Sequence, residues 1–414
     1  MSSKSDKKKS LVPRLRFPEF REAGAWEVKR LGDIASIIQD KVGRKECILL
    51  SVTSGIGLVS QVEKFGREIA SNQRKNYFAI RSNDFAYNKS ATKNYPQGFI
   101  GLYKGDKLAG VPNSIFICFR PNLDEVVPSY LDYLFSANLH GKQLNRFITV
   151  GARAHGSLNV DNKDLLSIPI PIPMNDEENG QVEQQKIAHC LSSLDEVMGL
   201  QAKKVQALKQ HKKGLMQQLF PAEGETTPRL RFPEFREAGA WEVKRLGEVA
   251  DVVAAGDLNV DDYSTERTDK YIFPIYSNSV AKKGLYGFCA TPKYKENSVT
   301  VTARGTLGVA FHRNCNFAAI GRLLVISNLN VVNPYFLQEI WNHSVQLPLE
   351  DGGIPQLTAV KAKPAKVAFP RNTHEQQKIA HCLSSLDEVI GLEAHKLDAL
   401  KKGLMQQLFP QDVA

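Results

Sequence analysis

Asn88, Lys89, Ser90, Thr92, Lys93, Asn94 and Tyr95 form the densest run of side chains that pair donors with acceptors. Tyr276, Ser277, Asn278, Lys282 and Lys283 make a second such segment, and Thr302, Arg304 and Thr306, within T-A-R-G-T-L-G, a third. Arg153 and His155 sit in the glycine-bearing segment VGARAHGSL. These are the residue types that read base edges: Arg or Lys on guanine O6 and N7, Asn or Gln on adenine N6 and N7. The plainer role is solvated surface or phosphate contact. Roughly a third would touch a base, because phosphate and sugar contacts outnumber base contacts. The Lys and Arg positions are the firmer choices, since electrostatic positioning tolerates errors in register.

No catalytic constellation emerges. Asn333-Pro334-Tyr335-Phe336 approaches the Asn-Pro-Pro-Tyr/Phe motif with which amino-methyltransferases hold adenine, but Tyr335 stands where the second proline belongs. No F-x-G-x-G cofactor loop precedes it, and Val127-Pro128-Ser129-Tyr130 occupies the comparable place earlier in the chain. Both segments read instead as a strand end followed by a helix opened by proline. A phosphate-gripping G-x-x-x-x-G-K-[ST] loop is absent. Neither His189 with Cys190 nor His381 with Cys382 suits a metal, because adjacent helical residues diverge and no third ligand accompanies them. The expected metal set and catalytic set are therefore empty, with no cofactor in this chain. Trp26 and Trp241 could stack on bases, but anchoring is the simpler expectation.

The elements that must carry these residues follow from composition and repetition. The 414 residues are 42% hydrophobic and carry 54 Lys plus Arg against 44 Asp plus Glu, a net charge of +10. That surplus favours a polyanionic partner. No run reaches the roughly 18 apolar residues of a membrane span. Met1–Ser10 is a charged, polar tail, so residues 1–12 are expected to be disordered and the protein cytoplasmic. Six cysteines without a C-x-x-C pair fit reduced thiols.

Pro13–Gly32 (PRLRFPEFREAGAWEVKRLG) recurs residue for residue at Pro228–Gly247. EQQKIAHCLSSLDEV recurs at Glu183–Val197 and Glu375–Val389, and KKGLMQQLFP at Lys212–Pro221 and Lys401–Pro410. The chain is two copies of one plan: leader, variable middle, terminal tract. Ile187, Leu191, Leu194, Met198, Val205, Leu208, Leu215 and Leu219 follow steps of four and three, broken by Gln201 and Lys212. Ile379, Leu383, Leu386, Ile390, Leu397, Leu400 and Leu404 repeat the stripe, with Glu393 intruding. A narrow apolar stripe on a polar helix needs a partner helix, which predicts an antiparallel coiled coil formed by the two tracts. From Glu183 to Leu219 such a helix would span about 55 Å. Two unrelated amphipathic helices, each packed on its own domain, are the alternative. Lys209, Gln210 and His211 have no counterpart in the second tract, which makes it shorter.

The middles diverge but share a grammar of short β-rich runs, a strand leading into a helix (from Val126 and from Val331), a glycine-bearing loop and a Pro-rich exit. The expected fold class is α+β: two tandem β-rich recognition domains separated by two long helices. The expected divisions are 1–12 tail, 13–173 first domain, 174–221 first helix, 222–370 second domain and 371–414 second helix.

With its F-P-E-F-x-x-x-x-x-W-x-x-x-x-L-G leader, the Asn-Lys-Ser and Pro-Gln-Gly elements near Asn88–Gly98 and the E-Q-Q-K-I-A helix start, the chain resembles the specificity subunit of type I restriction-modification systems. The resemblance covers nearly the whole length. It implies that the middles are target recognition domains, each reading one half of a split double-stranded DNA site. It implies further that the helices set the gap and dock two methyltransferase subunits, joined by two restriction/translocase subunits. S-adenosylmethionine, ATP and magnesium would then belong to those partners, and this chain would be non-catalytic. Because the middles differ, the site should be asymmetric, with half-site centres about 34 Å apart. Two rivals come from other classes: a self-contained DNA methyltransferase, which the missing cofactor loop opposes, and a coiled-coil scaffold for proteins, which leaves the basic surplus unexplained.

Overall fold

The computed structural model describes residues 11–69, 71–148, 158–173, 177–345, 356–395 and 397–410. The chain folds into two compact units, Met1–Leu200 with His395–Ala414, and Gln201–Ala394.

The first unit holds β1 (Glu27–Arg30), β2 (Ala35–Ile37), β3 (Ile48–Thr53), β4 (Gly57–Ser60), β5 (Phe78–Ile80), β6 (Phe85–Asn88), β7 (Phe99–Leu102), β8 (Ala109–Val111), β9 (Phe116–Pro121) and β10 (Pro169–Ile172). The second holds β11 (Glu242–Arg245), β12 (Asp251–Ala254), β13 (Phe273–Tyr276), β14 (Leu285–Cys289), β15 (Ser298–Val301), β16 (Ala310–Arg313), β17 (Ala318–Ala319), β18 (Leu324–Ser327) and β19 (Lys366–Phe369). One sheet in the first unit runs β2-β9-β6-β7, and its counterpart in the second runs β12-β18-β15-β16. The other sheet runs β4-β3-β8-β5 against β14-β13-β17. In both, the two strands of a hairpin are joined by a parallel neighbour, β3 with β8 and β13 with β17. The divergent middles therefore share one strand plan, with β5 extra in the first. The Pro-rich exits form strands too. β10 pairs with β1 and β19 with β11 as isolated ribbons, where Pro169 and Pro171 interrupt no larger ladder.

The repeated leader acts as a clamp. Arg16 donates from Nε and Nη2 to the buried Glu183 carboxylate at 2.8 and 2.7 Å, and from Nη1 to Ala23 O and Gly24 O. Arg231 makes the same fork on Glu375 at 2.7 and 2.9 Å and reaches Ala238 O and Gly239 O. Planar, bidentate pairing is what arginine offers a carboxylate that has left water. Beside each pair, Gln184 accepts from Val127 N and Gln376 from Asn333 N. Leader, helix start and variable middle are thus bolted together twice by the same side chains. Trp26 and Trp241 are buried anchors, packed against Tyr130 and against Phe220 and Phe336.

The first long helix, Glu177–Leu219, has 43 residues, and its boundary between units falls after Leu200. The second tract is two helices, Thr373–His395 and Leu397–Leu408, belonging to the second and first units respectively. Each core consequently takes in the end of the other copy. Leu408 and Phe409 join the first core, with Phe409 5.6 Å from Tyr130, and Leu219 and Phe220 join the second, with Phe220 5.7 Å from Phe336.

Within the second unit Lys204 binds Glu393 and Lys212 binds Asp387, a pairing in which one chain number rises as the other falls, so the helices run antiparallel there. Gln201 donates to Glu393 O. Two of the polar breaks in the apolar stripes, Gln201 and Glu393, are thus partners of one another, and the third, Lys212, pairs with Asp387. In the first unit Lys401, the counterpart of Lys212, pairs with Asp195, the counterpart of Asp387.

Three expectations need correction. Val126 and Val331 do not end strands: turns and bends separate β9 and β18 from the proline-opened helices Pro128–Ser136 and Pro334–Ser344. After these turns Val127 N and Asn333 N, at the two helix N-termini, donate to Gln184 and Gln376. Leu400, placed in the apolar stripe, is 57% exposed on the terminal helix. The side chain of Leu397 lies outside the described residues.

Candidate nucleic-acid interface

In each unit two hairpin turns meet at one edge. In the first they are the β3–β4 turn, Thr53–Gly57, and the β6–β7 loop, Lys89–Gly98. Asn88 Nδ2 donates to Val52 O at 3.4 Å, and a side chain at Gly55 would lie 3.1 Å from Tyr95 Oη. In the second they are the β13–β14 loop, Ser277–Gly284, and the β15–β16 loop, Thr302–Val309. Asn278 joins them, accepting from Ala303 N at 2.7 Å and donating to Gly321 O at 2.6 Å.

The sequence candidates divide by this geometry. Lys93 and Asn94 are exposed at the β6–β7 tip, between Thr92 and Tyr95, whose backbones bond reciprocally to close it. Lys282 and Lys283 are exposed on the β13–β14 loop, both with left-handed backbone (φ 48° and 53°). Arg304 and Thr306 are exposed at the β15–β16 tip. Six of the candidates therefore present free polar heads on turns that converge.

Others support those turns from beneath. Asn88 is buried, and its Oδ1 accepts from Ser90 N. Lys89 is half-buried with its backbone bonded to Ile115 and Leu158, and Ser90 is half-buried beside it. Tyr95 packs edge-on against Phe99 at 5.0 Å. Ser277 and Asn278 are half-buried with their polar atoms engaged inside the protein. Thr302 is buried, donating to Thr306 O and accepting from Val309 N. Arg153 and His155 lie outside the described residues.

Tyr276 is half-buried under the guanidinium of Arg313, whose Cζ lies 3.5 Å from the ring centroid. Arg313 is itself buried, and its Nε donates to Thr300 Oγ1 at 2.9 Å. With no carboxylate bonded to it among the described residues, burial pulls its pKa down to about 10, so it stays cationic at neutral pH. Burial likewise lowers His312, helped by the positive charges of Arg313 and Lys283. The root of the β13–β14 loop is thus held by a stacked cation, and positive potential accumulates there.

Two further elements stand at these edges, neither among the sequence candidates. The Thr53–Gly57 turn carries no charge, and only its G-x-G between two alternating apolar runs could have marked it as a hairpin. Arg322 is exposed, with φ 67°, beside the Gly321 carbonyl that Asn278 holds. In the first unit the converging turns also form one wall of a cleft of about 980 Å³, whose lining includes Ile56, Tyr95, Lys104, Lys401 and Lys402. No group of three metal-ligating side chains occurs among the described residues, and His189 and His381 are exposed beside half-buried cysteines. Asn333 caps its helix, Oδ1 accepting from Phe336 N at 3.0 Å, with Pro334 in the first turn. That geometry is a helix cap. No helix among the described residues is long and apolar enough to cross a membrane.

Residues 24–210 and 239–402 each match the family model for the type I restriction modification DNA specificity domain. The chain belongs to this family. Over 417 residues it is 24% identical to the "Putative type I restriction enzyme MjaX specificity subunit" of Methanocaldococcus jannaschii, covering 92% of each chain. Over 204 residues it is 28% identical to a "Putative type I specificity subunit" of Mycoplasma pneumoniae, covering 49% of this chain. It spans about half the length of that relative, 52%. The fold is shared with the crystal structure of the type I restriction-modification system S subunit from M. genitalium, at TM-score 0.59 and 15% identity, over 97% of this chain and 99% of that one. A chain from a structure describing complex assembly of a type I restriction-modification system matches at TM-score 0.54 and 17% identity, over 94% and 98%.

Proposed function

We propose that the chain is the DNA-reading subunit of a type I restriction-modification complex and that each unit reads one half of an asymmetric bipartite site. One observation carries this: each unit, with the same strand order, brings two equivalent hairpin turns together at an edge of its own, yet the two units present different side chains there. Lys93 and Asn94 stand on β6–β7 where Arg304 and Thr306 stand on β15–β16. A shared scaffold with divergent tips is what reading two different base sequences requires. Of the sequence candidates, Lys93, Asn94, Lys282, Lys283, Arg304 and Thr306 are the contacts, and Asn88, Asn278, Thr302 and Tyr276 hold the turns that carry them.

The paired helices, as a coiled coil, would set the gap between half-sites and dock two methyltransferase subunits, joined by two restriction/translocase subunits. Adenine N6 methylation with S-adenosylmethionine, and ATP- and magnesium-dependent cleavage, would reside in those partners. The test is co-expression with a methyltransferase subunit in a host lacking the activity, followed by single-molecule sequencing for N6-methyladenine. A split asymmetric motif that depends on this chain supports the assignment. A stable complex that adds no motif contradicts it.

A further inference from the structure

The β3–β4 turn in the first unit is built to hold one apolar side chain outward. Ile56 N donates to Thr53 O at 3.0 Å, which closes the turn. Gly55 and Gly57 flank Ile56 at φ 83° and 110°, backbone that a side chain would strain. Tyr95 backs the turn, its hydroxyl 3.1 Å from where a Cβ on Gly55 would sit. Tyr95 is fixed in turn by Phe99. The turn is therefore held in place, and the β-branched Ile56 has few rotamers to lose on contact.

Ile56 is 75% exposed and contributes to none of the buried clusters. A lone surface isoleucine is ordinary. Its setting is not: it lines the same cleft as Tyr95 and Lys402, and its turn abuts the loop that presents Lys93 and Asn94. The second unit shows the contrast. Its equivalent hairpin, β13–β14, presents Lys282 and Lys283. The same place in one strand plan carries hydrocarbon in one unit and two ammonium groups in the other.

Base edges in the major groove offer one apolar group, the C5-methyl of thymine. We propose that Ile56 is a specificity-determining residue that packs on a thymine methyl in the half-site read by the first unit. This rests on the DNA-reading role assigned above and adds a base to it: that half-site contains an A·T pair opposite the β3–β4 turn.

The test uses the full chain in complex with a methyltransferase subunit and a duplex site obtained by selection from a random library. Each thymine of the two half-sites is replaced in turn by deoxyuridine, which keeps the pairing and removes only the methyl. At one position in one half, wild type should lose about three- to fivefold in Kd, the value of one buried methyl. Ile56→Ala should bind the thymine and uracil duplexes alike, and Ile56→Val should retain most of the discrimination. Equal uracil penalties in wild type and Ile56→Ala would overturn the proposal. So would an Ile56→Ala loss independent of the methyl, which would point to a wedge between base steps. Failure of the selection to return any site would instead overturn the DNA-reading role, so the two failures are distinguishable.

Discussion

The two units are built alike where they fold and differently where they face outward. Arg16 on Glu183 and Arg231 on Glu375 repeat a single clamp, and Trp26 and Trp241 a single anchor. The strand order repeats even though the middles diverge in sequence. At the tips the likeness ends: Ile56, Lys93 and Asn94 in one unit, Lys282, Lys283, Arg304 and Thr306 in the other. Such a division lets recognition change without disturbing the core, because turn tips bear few packing constraints while the clamp bears many.

The largest expected effect lies at the clamp. Arg16→Met or Arg231→Met leaves a buried carboxylate without its partner, with an expected loss of about 3–5 kcal/mol. Segment-resolved hydrogen exchange should show each variant loosening its own unit and sparing the other. Equal loosening of both would mean that the units do not fold as separate bodies.

Acid separates the units next. His140 is fully buried in the first unit with neither ring nitrogen bonded, and burial lowers its pKa from 6.5 to about 4. The fold therefore favours the neutral ring. Its contribution is complete above pH 6.5 and is lost as pH falls towards 4, amounting to about 2 kcal/mol at pH 5. His140→Leu should remove that loss from the first unit in denaturant titrations at pH 5 and 7. The second unit should keep its own acid sensitivity from the half-buried His312 and His343.

At the tips the effects are smaller and of two kinds. Arg304→Ala should cost about ten- to a hundredfold on the preferred site and relax one base position, measured by binding to single-substitution duplexes. Lys93→Ala, as a phosphate contact, should weaken all sequences nearly equally and lower the salt slope of log Kd by about one. A lysine variant that relaxes sequence preference would move that residue from phosphate to base contact.

The duplication was fully legible in the sequence, because identical leaders and helix starts need no structure to align. The polar breaks at Gln201, Lys212 and Glu393 were visible but not their purpose, since only the antiparallel pairing brings Lys204 and Gln201 to Glu393. Composition picked out segments that fold as hairpin loops but could not separate exposed tips from buried supports. Asn88, Asn278 and Thr302 carry the same groups as the exposed candidates, yet hydrogen bonds to Val52, Gly321 and Thr306 engage them. The converse error hid Ile56, an apolar residue on a turn with nothing polar to announce it. Nor could periodicity reveal that the terminal helix completes the first unit, because Leu408 and Phe409 would fit either core equally well by type.

The proposed role requires each unit to read its own half. Genomic N6-methyladenine should be mapped for wild type, for Lys93→Ala with Asn94→Ala, and for Arg304→Ala with Thr306→Ala, each assembled with a methyltransferase subunit. The prediction is a bipartite motif in which the first pair of substitutions degrades one half and the second pair the other, with the gap unchanged. Substitutions in both units that degrade the same half, or a motif indifferent to either pair, would contradict it.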